Sequence, residues 1–112
     1  MSKTAVVLQV NTPEAFIAEL KSRGIREVRV CNWYRRLPYF SFEVKRRFTA
    51  YDPASNMILR LDIVYYRGFI NGEDDKRRVR EAYEKIVKPV EERISRVAEI
   101  LDGEYHNGEA RW

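Results

Sequence analysis

The sequence predicts an α+β domain in the order β-α-β-β-β-α: a four-stranded, mostly antiparallel sheet with a short helix and a long C-terminal helix. Three observations lead there. Apolar and polar residues alternate along most of the stretch between residues 25 and 66. Helix-start residues stand at Asn11–Glu14 and again at Asn71–Asp75. Apolar residues spaced by three and four run from Val79 to Leu101. A chain of 112 residues with 45% hydrophobic content is read as one domain, 1–112, able to bury a core.

Thr4–Val10 is a short valine-rich run and is expected to be a buried strand. Thr12 caps the first helix, Pro13 takes its first position, and Glu14 meets the positive end of its dipole. Phe16, Ile17 and Leu20 share one face, and Gly24 closes the helix. Ile25–Trp33 alternates, and a parallel right-handed crossover should join it to the first strand. Arg35–Pro38 reads as a loop. Tyr39–Tyr51 is a long strand, with Phe40, Phe42, Val44, Phe48 and Ala50 on its core face and Arg46 as the misfit, a mark of a bulge or of a barrel end.

After a turn at Asp52–Asn56, Met57–Tyr66 returns with Met57, Leu59, Leu61, Ile63 and Tyr65 inward. One register that parity allows sets Asp62 opposite Arg47. Residues 73–102 form the long helix. Its seam is Val79, Tyr83, Ile86, Val90, Ile94, Val97 and Leu101, with Pro89 expected to kink or break it. The part Ile86, Val90, Ile94, Val97 and Leu101 is the candidate oligomerisation face, for a dimer or tetramer; packing on the chain's own sheet is the competing use.

No apolar run approaches the roughly 18–20 residues of a membrane span. The start of the chain lacks the pattern of a secretory leader. The single cysteine, Cys31, excludes an internal disulfide framework and a cysteine-rich zinc site, which points to a reduced, cytoplasmic protein. Arginine outnumbers lysine, and glycine and proline are scarce, a composition that leans toward high-temperature organisms.

The net charge of +4 is unevenly placed. Between residues 23 and 48, Arg23, Arg26, Arg29, Arg35, Arg36, Lys45, Arg46 and Arg47 stand against Glu27 and Glu43, a surplus of +6. Half of the aromatic residues lie between Trp33 and Tyr51. Single-stranded nucleic acid offers a line of phosphates beside unstacked base faces. Cations answer the first and flat rings the second. The expected function is therefore non-catalytic binding of single-stranded DNA or RNA on a basic, aromatic sheet surface or cleft. The candidate residues are Arg29, Trp33, Tyr34, Arg35, Arg36, Tyr39, Lys45, Arg47, Tyr51, Arg60 and Tyr66. No cofactor and no metal is expected. The cluster Lys76, Arg77, Arg78 and Arg80 interleaves with acids and reads as a solvated helix face.

The segment Cys31–Phe40, the basic strand Glu43–Arg47 and the helical pattern Val79–Leu101 together resemble the ThermoDBP group of single-stranded nucleic-acid-binding proteins and their relatives from hyperthermophilic archaea. The resemblance implies a binding domain outside the OB class, with an aromatic and basic cleft and a C-terminal helix used for oligomerisation. Pro89 departs from the uninterrupted zipper that such a helix implies.

Two other readings compete. Glu43-Val44-Lys45 is similar to the E-x-K of metal-dependent PD-(D/E)xK nucleases, although the upstream aspartate is missing and Glu27 is the nearest acid. The helix seam alone would suit a structural oligomerisation module. A metal site from Glu104, His106 and Glu109, or a Cys31–His106 nucleophile pair, has less to support it, since the only histidine sits in a polar tail. There is no glycine-rich phosphate loop.

Overall fold

The first helix forms as its capping residues dictate. In the computed structural model, which describes residues 4–103 and the backbone of residues 106–107, α1 spans Pro13–Arg23. The Ala15 N–H donates to Thr12 Oγ1 at 3.1 Å, and Gly24 ends the helix in the left-handed conformation at φ 67°. Its inward face buries Phe16 and Leu20 completely or nearly so.

The strands are β1 (Val6–Val10), β2 (Glu27–Leu37), β3 (Ser41–Asp52), β4 (Met57–Gly68), β5 (Glu99–Asp102) and a two-residue β6 (His106–Asn107). They form one mixed sheet in the order β1-β4-β3-β2-β5, with β6 also paired to β2. The β2–β3 and β3–β4 pairs are antiparallel; β1 runs parallel to β4, and β5 and β6 run parallel to β2. The α+β class stands, but the four-stranded sheet and the β-α-β-β-β-α order are corrected: strands follow the last helix and lengthen the sheet beyond β2. The β1-α1-β2 unit has its two strands parallel, as expected, but they are not neighbours: β4 and β3 lie between them.

The position of β1 at the sheet edge also overturns its expected burial. Val6, Val7 and Leu8 are all exposed, and only Val10 is buried. At the other end of the meander, Arg35 and Arg36 belong to β2 rather than to a loop. The turn contracts to Pro38–Phe40 between the paired residues Leu37 and Ser41. Phe40 consequently lies outside the core, 85% exposed.

The C-terminal helical segment is three pieces. The helix α2 (Gly72–Ala82) leads into a π-turn, Tyr83–Val87, and then α3 (Lys88–Ser95). The Lys88 N–H donates to the carbonyl of Tyr83, five residues back. This wider turn sits immediately before Pro89, which has no N–H to give and whose ring would crowd a regular helical turn. The chain stays helical through the proline and then stops at Ser95, seven residues short of the expected end, because Glu99–Asp102 pairs with Glu27–Val30.

That pairing decides the fate of the seam. Ile94 is fully buried in the chain's own core, Val90 and Val97 pack against it, and Leu101 is on a strand. Ile86 alone of the five oligomerisation candidates is exposed. The heptad is thus the stripe by which the helices cover their own sheet, and the oligomer face assigned to it is corrected.

All three helices pack on one face of the sheet. Phe16, Leu20, Val87 and Ile94 meet Val28, Val30, Val44, Phe48, Leu59 and Leu61 there. Phe16 and Phe48 stand with ring centroids 6.4 Å apart. Each such side chain contributes about 1.5–3 kcal/mol relative to exposure. Among the described residues, no helix is long and apolar enough to cross a membrane.

Candidate nucleic-acid interface

Strand parity sorts the basic and aromatic residues between two faces. Val30 pairs with Phe48, and Phe48 with Leu61, so these belong to the face that the helices cover. The opposite face then carries Arg29, Cys31, Trp33 and Arg35 from β2. It also carries Glu43, Lys45, Arg47, Thr49 and Tyr51 from β3, and Arg60, Asp62, Val64 and Arg67 from β4. With Glu27, which shares the parity of Arg29, this face holds six cations and three acids.

Its centre is sealed. Arg47 pairs with Asp62 in register, as parity allowed, and donates from Nε to Oδ1 at 2.8 Å and from Nη2 to Oδ2 at 3.1 Å. The same guanidinium lies 4.4 Å from the centroid of the Trp33 ring. Arg47 is 2% exposed and Trp33 4%. Neither is placed to touch a passing strand, so both assignments as ligand contacts are corrected. Lys45 Nζ stands 3.6 Å and Arg60 Nε 3.9 Å from Asp62 Oδ2, and Arg60 also donates to Gln9 Oε1 at 2.7 Å. One carboxylate thus faces three cations, and Lys45 and Arg60 keep partial exposure above it. Beside this layer Cys31 is buried, which pushes its thiol up.

The two ends of the face differ from the centre. At one end a groove of about 680 Å³ is lined by Arg23, Arg26, Arg29, Thr49, Tyr51 and the β3–β4 turn. Tyr51 is 52% exposed, its hydroxyl donating to Asn56 Oδ1 at 2.9 Å. Arg29 is exposed and pairs with Glu27 at 3.3 Å. Arg23 is held to Glu19 and Asp52 on the groove wall.

At the other end is the β2–β3 turn. Tyr39 and Phe40 are 88% and 85% exposed, and both take φ 62°, a left-handed conformation that non-glycine residues avoid. Two solvent-facing rings are held there by a three-residue connection with no glycine. Next to them, Arg35 and Arg67 flank Glu43 at 3.3 and 2.9 Å. Burial pushes the Glu43 carboxyl up, but the hydrogen bond from Arg67 and the charge and hydrogen bond of Arg35 outweigh it and hold it below the usual range. Arg36 pairs with Phe42 and so falls on the helix side by parity, at the end of β2, where it is exposed and forms no ion pair among the described residues. Phe69, just past β4, is 51% exposed.

Phe40, Arg67 and Phe69 were not among the sequence candidates. Leu37-Pro38 ahead of two rings was the available signal: a proline this close to the turn shortens the space in which the chain must reverse, and rings at a turn apex have no sheet face to pack on.

Tyr34 and Tyr66 leave the interface. Tyr34 falls on the helix side by parity and is half-buried. Tyr66 follows a bulge: Val44 pairs with Tyr66 but Lys45 with Val64, so Tyr65 is the extra residue and the parity beyond it reverses. Tyr66 packs against the core and donates to the Phe69 carbonyl at 2.6 Å. Arg46, the expected misfit, does face the helices. It donates to Glu91 at 2.7 Å and to Asp102 at 3.0 Å, with its guanidinium 5.6 Å from the Tyr83 ring. Burial, reinforced by donation to Glu91, pushes the Tyr83 hydroxyl up to about 12.

The E-x-K pair has a structural occupation: Glu43 is held by two arginines and Lys45 faces Asp62. Among the described residues no three histidine, cysteine, aspartate or glutamate side chains gather where they could hold a metal ion. Glu104, Glu109 and the side chain of His106 lie outside the described residues. The helix cations Lys76, Arg77 and Arg78 pair with Glu73, Asp74 and Asp75. Comparison with protein-family models, curated proteins and solved structures finds no match for this chain.

Proposed function

We propose that the protein binds single-stranded nucleic acid along the helix-free face of its sheet, entering at the Arg29–Tyr51 groove and leaving over the β2–β3 turn. The observation that carries this reading is the turn itself. Two adjacent rings, almost wholly exposed and in a conformation that costs roughly 1–2 kcal/mol per residue, stand beside three exposed arginines. Hydrophobic rings gain nothing from water, and here they gain nothing from the core. Stacked bases would give them a partner, at roughly 1–3 kcal/mol each.

The length of the path agrees. Arg29 and Arg35 are six residues apart on one strand, about 20 Å at strand rise. That spans about six nucleotides at the 3.4 Å duplex rise, fewer when the strand is stretched. Between the ends, Lys45 and Arg60 add positive charge that Asp62 cancels only in part. Phosphates would lie on Arg29, Arg35 and Arg67, and on Arg36 only where the strand passes over the turn to the other side, and bases on Tyr39, Phe40 and Tyr51. Duplex DNA hides its base faces, so it would use the cations alone.

A fluorescence titration with single-stranded DNA, single-stranded RNA and duplex across a salt series, with and without magnesium, tests the reading. Single strands should bind more tightly than duplex, with affinity falling as salt rises. Equal or tighter binding of duplex, or no binding at low salt, overturns it. Magnesium-dependent cleavage would instead restore the nuclease reading.

A further inference from the structure

The edge strand β1 has the sequence Val6-Val7-Leu8-Gln9-Val10, without charge, proline or bulge. Those are the devices by which proteins keep sheet edges from pairing. Val6 is 62% exposed, Val7 39% and Leu8 36%. The Val6 N–H donates inward, to the Asn56 carbonyl at 3.2 Å. Backbone groups alternate along a strand, so Val6, Leu8 and Val10 bond β4 while those of Val7 and Gln9 point away from the sheet. None of these outward backbone groups has a hydrogen-bond partner among the described residues.

We propose that β1 is a self-association edge, where two copies of the chain pair antiparallel about a two-fold axis through Val7. The strand is complementary to itself in that register. Val7 would exchange both backbone hydrogen bonds with its counterpart, and Ala5 would do so with Gln9 in each direction. Val6 would then oppose Leu8 of the second copy, and Leu8 its Val6. The exposed apolar side chains that β1 turns to the helix side cover one another, at about 0.2–1 kcal/mol per cross-strand pair. No like charges meet. A charged peptide would lack this match, and most of the heptad seam, Val79, Tyr83, Val90, Ile94 and Val97, already packs in the chain's own core.

The axis stands perpendicular to a sheet that continues through both copies. Their helices therefore fall on one side and their helix-free faces on the other. The inference does not rest on nucleic-acid binding, and it is tested without nucleic acid. The full-length chain is followed by sedimentation across a concentration series and should form a dimer. Val7→Lys sets two ammonium groups opposite each other and should weaken the dimer at least about tenfold. Its side chain replaces one already exposed, and circular dichroism checks that the fold is kept. Val7→Cys should form an intermolecular disulfide under mild oxidation, since directly paired residues have Cα atoms about 5.5 Å apart, within disulfide range. Gln9→Cys should not link to itself. A monomer at every concentration, a dimer indifferent to Val7→Lys in a folded protein, or failure of Val7→Cys to cross-link overturns the proposal.

Discussion

Arg47 and Arg36 sit on neighbouring strands of one sheet, and their surroundings are opposite. Arg47 is clamped by both oxygens of Asp62 and stacked against Trp33. Arg36 is exposed, without an ion pair among the described residues, a few positions from Tyr39 and Phe40. The two regions have the same composition, cations with aromatics. The centre has consumed its charge and ring internally, whereas the turn leaves both facing water. Residue type therefore does not distinguish a binding surface from a buried polar layer. The neighbour across the strand does.

The sharpest way to break this contrast is to attack the centre. Asp62→Ala leaves the buried Arg47 without the carboxylate that holds it and should cost about 3–5 kcal/mol of stability, read by chemical denaturation. Trp33→Ala removes a buried ring and should cost a similar 3–5 kcal/mol. If either variant loses nucleic-acid affinity without losing stability, the centre contacts ligand and the division proposed here fails.

The turn should behave in the reverse manner. Tyr39→Ala and Phe40→Ala should each lower single-strand affinity by about 1–3 kcal/mol, roughly 5- to 150-fold. Their unfolding midpoints should stay close to the parent's. Arg36→Ala should lower the slope of log affinity against log salt by about 0.7, the value for one phosphate on a single strand. An unchanged slope would remove Arg36 from the interface.

Much of this was legible beforehand. Thr12, Pro13 and Gly24 mark α1, alternation fixes the inward faces of β3 and β4, and parity allowed the Arg47–Asp62 pair. These signals are local or depend only on period. What was not legible depends on partners distant in the chain. Whether Val6–Leu8 is central or peripheral depends on which strand β1 joins, and nothing within five residues says so. The seam from Val79 looks the same whether it faces a second helix or a sheet. Tyr66 changed sides because one extra residue entered β4, which alternation alone does not reveal. Parity over Tyr39–Tyr51 points Phe40 to the core, but β3 begins only at Ser41, so Phe40 belongs to the turn.

A smaller effect joins the two regions through Glu43, which lies between Arg35 and Arg67. Its carboxyl is held below the ordinary glutamate value, so its contribution to stability is complete above about pH 4.3 and is lost as the pH falls through the lowered folded value. Glu43→Gln should flatten the acid limb of the stability profile in that window, an effect of about 1 kcal/mol or less. The same change frees one positive charge near the turn and should tighten single-strand binding at low salt. Weaker binding would mean that Glu43 positions the two arginines more than it cancels them.

The smallest effect tests whether the turn is held open at a cost. Tyr39 at φ 62° occupies a conformation open to glycine without penalty but unfavourable for a side chain with a Cβ. Tyr39→Gly relieves that strain, about 1–2 kcal/mol, but loosens the unfolded chain by about 0.4–1 kcal/mol. The net expectation is a gain of about 0.5 kcal/mol, with Tyr39→Ala less stable than Tyr39→Gly. Affinity should fall equally in both, because each lacks the ring. A glycine variant clearly less stable than the parent would show that the ring packs on the protein in solution, and the case for bases stacking at the turn would then rest on Phe40 alone.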